Sequence, residues 1–163
     1  MSLICLDTQI LIWGIKEEAE QDQEEFISKS KILIEHLQDN GDKILIPSII
    51  LSEFILHLPQ ESHTTVVNLL TANFFVAPYD QLTALHYARI WQNQEHQNRV
   101  REIHELGTTR NEIKADRMIV ATAVAHNAER IYSHDKGLRN FAEGFCDAYD
   151  IPTIPIQTTW LDD

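Results

Sequence analysis

Residues 3–8, Leu3-Ile4-Cys5-Leu6-Asp7-Thr8, form a short apolar run that ends abruptly in a carboxylate and a hydroxyl. Four consecutive apolar residues without alternation read as a strand covered on both faces, the pattern of a central strand in a parallel sheet flanked by helices. Its tip carries Asp7. Either Asp7 or Thr8 can cap the turn of helix implied by Ile10, Leu11 and Trp13, with Gly14 placed to end it.

Outward from this strand, apolar residues recur at helical spacing between Asp22 and Gln38, at Phe26, Ile27, Leu33, Ile34 and Leu37, with Ser30 on the same face. Asn40-Gly41-Asp42 then supplies a turn. Lys43-Ile44-Leu45-Ile46 predicts a second strand, stopped by Pro47, and Ser48 is placed to cap a helix from Ile49 towards Leu58. A further helix is expected from Gln60 to Ala72 and a third strand at Phe74-Phe75-Val76-Ala77. Leu82, Leu85, Ala88 and Trp91 mark one face of the next helix, and Val100, Ile103 and Leu106 a weaker stripe. Asn111 to Asn127 reads as a helix apolar almost all round, hence buried on most sides. A fourth strand at Arg130-Ile131-Tyr132-Ser133, a short helix from Leu138 to Phe141 and a last strand at Thr153-Ile154-Pro155-Ile156 complete the pattern. Strands alternating with helices imply right-handed crossovers and a three-layer α/β/α fold around a central, mostly parallel sheet.

The 163 residues, 1–163, fit one ordinary domain that needs no disulfide or structural metal to hold it. Two cysteines, Cys5 and Cys146, give no disulfide framework and point to a reducing compartment, so a cytoplasmic protein is expected. No apolar run approaches the roughly 20 residues of a membrane helix, and the N-terminus has no signal-peptide pattern. A formal net charge of -12 argues against nucleic-acid binding through a broad basic field. Any such contact has to be local or carried by a metal.

Three later segments repeat the motif of a carboxylate at the edge of an apolar element: Glu53 in Ile49-Ile50-Leu51-Ser52-Glu53-Phe54, Asp116 in Lys114-Ala115-Asp116-Arg117-Met118-Ile119, and Asp135 after Ile131-Tyr132-Ser133-His134. Glu53 and Asp116 are expected in the first turns of their helices, Asp7 and Asp135 just after strands. Ligands of such sheets sit beyond the carboxyl ends of the strands. Singly, each acid has an ordinary explanation as a helix cap, a turn residue or an ion-pair partner. Four gathered at one sheet edge repel each other unless a cation neutralises them, and oxygen-only donors suit Mg²⁺ or Mn²⁺. Such a site lowers the pKa of bound water and stabilises the charge of an in-line phosphodiester displacement.

These segments resemble the PIN domains, metal-dependent ribonucleases that include the VapC-type toxins of bacterial toxin-antitoxin systems. Leu6-Asp7-Thr8-Gln9-Ile10-Leu11-Ile12-Trp13 is similar to that family's opening strand and first acidic residue, and Pro47 through Phe54 to its second acidic motif. Asp116 through Ala123 resembles the third, and Ser133-His134-Asp135-Lys136-Gly137-Leu138 the fourth. The resemblance implies an endoribonuclease with Asp7, Glu53, Asp116 and Asp135 around Mg²⁺ or Mn²⁺. Ser133, and with it Thr8, would be supporting hydrogen-bonding groups. Glu53 would either ligate through water or orient the attacking water. The resemblance also implies an RNA substrate, an antitoxin partner and a homodimer.

Arg99, Arg101, Arg110, Lys114 and Arg117 form a local basic cluster that either grips RNA phosphates or pairs with Glu102, Glu105 and Glu112 on a solvated face. Eight histidines invite zinc, yet no HExxH pair or Cys/His cluster is present; His134 alone stands beside a candidate ligand. No glycine-rich phosphate loop occurs. An aspartyl phosphatase would want a carboxylate close after Asp7, where Gln9 stands. The reading that competes from another class is a PIN-like binding or scaffold module without useful turnover.

Overall fold

In the computed structural model, which describes residues 1–93, 97, 98, 101, 102, 107 and 109–155, five strands form one sheet in the order β3-β2-β1-β4-β5. The strands are β1 (Leu3–Leu6), β2 (Lys43–Pro47), β3 (Phe75–Ala77), β4 (Arg130–Tyr132) and β5 (Asp147–Tyr149). All four pairings are parallel. The Leu3–Leu6 run is therefore the middle strand, with Cys5 and Leu6 fully buried, as an apolar run without alternation requires.

The helices are α1 (Thr8–Leu11), continued by a π-helical stretch Ile12–Lys16; α2 (Glu25–Asp39); α3 (Ser48–Ile55); α4 (His63–Asn73), entered through a 3-10 turn at Gln60–Ser62; α5 (Gln81–Gln92); α6 (Arg110–Ala125); and α7 (Lys136–Ala142). They complete a three-layer α/β/α arrangement, with the α1 extension packed on α2, and α6 packed on both α5 and α7. The core joins Ile4, Leu6, Leu45 and Ile46 of the sheet to Leu33, Ile50, Phe54, Val120 and Phe141 of the helices.

Several local expectations are corrected. Gly14 does not end the first helix; the chain runs on to Lys16 and stops at Glu17, which takes the left-handed conformation (φ 57°). Gly14 instead lies close against α2, where an added Cβ would stand 2.7 Å from Ile34 Cδ1. Ser48 is the first residue of α3 rather than its cap: Pro47 precedes the helix and no side-chain cap bond forms. The third strand starts one residue late, at Phe75.

The last strand is Asp147–Tyr149, not Thr153–Ile156. Gly144 (φ 87°) turns the chain after α7, and Tyr149 O accepts from Ser133 N at 2.9 Å. Residues 153–155 form no element, and Pro152 and Pro155 have no N–H to give a ladder. Ile156 lies outside the described residues, as do Arg99, Val100, Ile103 and Leu106. The stripe of Leu82, Leu85, Ala88 and Trp91 faces solvent, with Leu85 62% exposed, because α5 packs inward through Thr83 and Ile90.

Candidate active site

The carboxyl ends of β1 and β4 are neighbours, and each strand delivers one acid. Asp7 follows Leu6 as the cap of α1, its Oδ1 accepting from Thr8 N at 2.7 Å. Asp135 follows β4 by way of Ser133 and His134 and caps α7, its Oδ1 accepting from Gly137 N at 2.7 Å and Leu138 N at 3.3 Å. Ser133, fully buried, ties the two tips together: its hydroxyl donates to Asp7 Oδ2 at 2.7 Å and accepts from Asp135 N at 3.1 Å. The Asp7 carboxylate is thus held through both oxygens. Thr8 contributes its backbone N–H and lines the same cleft.

Asp116 and Glu53 arrive from helices, and neither lies in a first turn. Asp116 is the seventh residue of α6, which starts at Arg110 under a capping box: Thr109 Oγ1 accepts from Glu112 N, and the Glu112 carboxylate accepts from Thr109 N at 2.8 Å. Asp116 is thereby placed beyond the first turn, where the helix dipole helps an anion most. Glu53 is the sixth residue of α3. It is exposed rather than seated on the buried stripe, because α3 buries Ile50 and Phe54 while Glu53 shares its outer side with Leu56.

Asp7, Glu53, Asp116 and Asp135 all line one cleft of about 1030 Å³. Glu20, Glu112, His57 and His134 line it too, and among the described residues no Lys or Arg does. Gly137 forms part of its floor: a Cβ there would lie 3.0 Å from Asp135 Oδ1 and 3.9 Å from Asp116 Oδ2, so the two acids converge on a position that only glycine leaves open.

The electrostatics follow from crowding. Burial raises the Asp7 pKa from 3.8 to about 6, a rise the Ser133 and Thr8 hydrogen bonds oppose and the Asp135 and Glu53 charges reinforce. Burial also raises Asp116, to about 8, with Asp135, Asp7, Glu112 and Glu53 adding repulsion. Among the described residues no three or more His, Cys, Asp or Glu side chains stand close enough together to hold a metal ion as they are placed. An open, all-oxygen set fits a hard divalent cation that keeps part of its water shell, and the mutual repulsion is the energy such a cation would relieve.

Of the basic cluster, the described members Arg101, Arg110, Lys114 and Arg117 do not line this cleft. Arg110 and Lys114 are exposed on another side of α6 from Asn111, Glu112, Ala115 and Asp116, which line it. Arg117 is corrected outright as an RNA contact: it is 3% exposed, with its guanidinium stacked 3.8 Å from the centre of the Trp91 ring. Arg117 stands where α6 turns apolar, between the buried Ile113 and Ile119, and is buried with them. The sequence reading missed Glu20 as a cleft residue and counted Glu112 only as an ion-pair partner, although Thr109-Arg110-Asn111-Glu112 carries a legible capping-box signal.

Comparison with known proteins gives a consistent picture. VapBC2 from Rickettsia felis, solved bound to a DNA fragment from its promoter, is similar at 16% identity and a TM-score of 0.62, covering 91% of this chain and 98% of that one. DNA-bound VapBC from Salmonella typhimurium is similar at 22% identity and a TM-score of 0.56, covering 93% of this chain and 100% of that one. These identities speak to fold alone. No curated protein sequence matches significantly. The family described as the PIN domain matches residues 4–144, most of the chain and all four acids, and the protein belongs to the PIN domain family.

Proposed function

We propose that the protein is a Mg²⁺- or Mn²⁺-dependent endoribonuclease that hydrolyses RNA phosphodiester bonds, and that it acts as the toxin of a toxin-antitoxin pair. The observation that carries this reading is the gathering of two burdened acids, Asp7 and Asp116, with Asp135 and Glu53 on one cleft, where burial, reinforced by like charges, raises two pKa values to about 6 and about 8. Purely structural acids would be expected to find cationic partners, and among the described residues no Lys or Arg lines this cleft.

Asp7, Asp116 and Asp135 would hold the cation directly or through water, with Glu53, exposed on α3, ligating through water or orienting the attacking water. When bound, the cation supplies a more acidic water and neutralises charge at the scissile phosphate. Ser133 keeps Asp7 aimed at the cleft, and the α7 N-terminus, by binding Asp135 Oδ1, fixes that carboxylate so that its second oxygen remains for the site. With no Lys or Arg in the lining among the described residues, the approach of RNA relies on the cation and on contacts outside the carboxylates. Arg110 and Lys114 are exposed at the start of α6 and serve as outer phosphate contacts. The VapBC neighbours support an antitoxin partner, and a homodimer completes the proposal. Two free cysteines and no helix long and apolar enough to cross a membrane among the described residues accord with a cytoplasmic site of action.

The test is cleavage of single-stranded and structured RNA with Mg²⁺ or Mn²⁺ by the parent, Asp7→Asn and Asp116→Asn. Each variant is expected to lose about a hundredfold or more in rate. Equal cleavage by parent and variants would place the active site elsewhere, and no cleavage by the parent under any condition would favour the binding-module reading.

A further inference from the structure

One wall of the cleft is aromatic, and the acid chemistry makes no use of it. Trp13, almost fully buried, stacks on Phe26 of α2 with ring centres 4.7 Å apart and planes within 19°. The His134 ring sits 4.4 Å from Phe26, tilted by 45°, and meets Trp13 edge-on at 5.7 Å. Of the three, Trp13 and His134 line the cleft, and the His134 side chain keeps 39% of its surface exposed. Its pose is braced from behind. Asp150 Oδ1 bonds His134 Nδ1 at 2.9 Å; Arg139 stands 3.7 Å from Asp150 Oδ2 and donates to Ser133 O at 2.8 Å.

Packing of α2 against the π-helical stretch that continues α1 accounts for Trp13 and Phe26. It does not account for a solvent-reaching imidazole clamped by a carboxylate and an arginine one residue before Asp135. Restricting a side chain that reaches water costs rotamer entropy, and a fixed ring beside a reacting phosphate is what base recognition needs. Gln23, with a side-chain amide able to donate and accept, lines the same cleft.

We infer that the braced His134 ring, backed by Phe26 and Trp13, is a stacking subsite for one unpaired base of single-stranded RNA, next to the phosphate held at the four carboxylates. The inference rests on the nuclease reading and adds to it a substrate class and a position. Stacking is sequence-tolerant because every base offers a π-face, so His134 selects for an unpaired base rather than for one base type, leaving base identity to neighbours such as Gln23.

The test compares the parent, His134→Ala and His134→Phe on a single-stranded RNA with a defined cut, and on the same RNA made abasic at each nucleotide flanking that cut in turn. His134→Ala is expected to raise KM about tenfold on intact RNA, with the loss on KM rather than kcat, and His134→Phe to recover most of it. At one flanking position the abasic substrate should cost the parent a similar factor and bring parent and His134→Ala together. RNA affinity measured in an Asp116→Asn background should follow the same order without turnover. If the parent cleaves but His134→Ala loses equally on intact and abasic RNA at every position, the subsite is wrong and the nuclease reading stands. If the parent neither binds nor cleaves RNA, both fall.

Discussion

Asp116 holds the largest unfavourable charge in the cleft, and its cost depends on pH. Its folded pKa of about 8 stands above the ordinary 3.8, because burial first, and then the charges of Asp135, Asp7, Glu112 and Glu53, disfavour the ionised form. An acid whose folded pKa is raised binds its proton more tightly folded than unfolded. Its stabilising contribution is complete below about pH 4 and is lost as pH rises through about 8; Asp7 loses its share earlier, through about pH 6. Without divalent metal the melting temperature should fall between pH 5 and pH 9, by on the order of 10 °C for a few kcal/mol in a chain of this size. Asp116→Asn should flatten the part above pH 6 and be more stable than the parent at pH 9. Added Mg²⁺ or Mn²⁺ should raise the parent's melting temperature at pH 9 more than the variant's. A parent whose metal-free stability is level across this range would show Asp116 already solvated as the anion, removing the electrostatic case for a cation there.

At the scale of elements, what the sequence made legible was whatever is written in unbroken apolar runs with sharp stops. Leu3–Leu6, Ile44–Ile46 and the helix around Val120 are such runs, and two of the four acids, Asp7 and Asp116, stand at or near their ends, which is why much of the cleft could be assembled from sequence. β5 was missed because Asp147-Ala148-Tyr149 is a three-residue edge strand with two exposed residues, so it carries no apolar signature. Arg117 was misplaced because charge was weighed before the burial of the helix carrying it. Gly14 was read as a stop because glycine's conformational freedom is visible in a sequence, whereas a close approach between helices is not. The structure makes the second reading testable. An alanine in a helix interior ordinarily gains about 1 kcal/mol over glycine. At position 14 the Cβ would meet Ile34 Cδ1 at 2.7 Å and Ser30 at 3.3 Å. Gly14→Ala is therefore expected to lose about 1–3 kcal/mol in urea unfolding, and Ile34→Val, which removes that Cδ1, should recover part of it in the double variant. A gain in stability on Gly14→Ala would show that the π-helical stretch and α2 separate freely.

For the whole molecule, a formal charge of -12 and an outward apolar face on α5 pull in opposite directions. An apolar stripe ordinarily marks the side of a helix that packs inward. In α5 the buried side is Thr83 and Ile90, while Leu82, Leu85 and Trp91 are 49%, 62% and 49% exposed, and Leu69 of α4 is 58% exposed. Large apolar side chains left exposed on one helix mark a candidate interaction site, and a second copy is the occupant that the proposed homodimer supplies. Two copies each carrying -12 repel, so the contact has to be held by apolar burial, with repulsion spread over the rest of the surface. Salt then acts against the usual expectation for a charged assembly: screening the repulsion tightens the dimer, where a dimer held by ion pairs would loosen. Sedimentation should give a species of twice 18.8 kDa whose dissociation constant falls between about 0.05 and 0.5 M NaCl. Leu85→Asp, at an exposed position where the fold loses little, should sediment as a monomer with an unchanged melting profile at low concentration. A parent that stays at 18.8 kDa in high salt would assign this face to a different partner, and a Leu85→Asp variant that still dimerises would move the contact off α5.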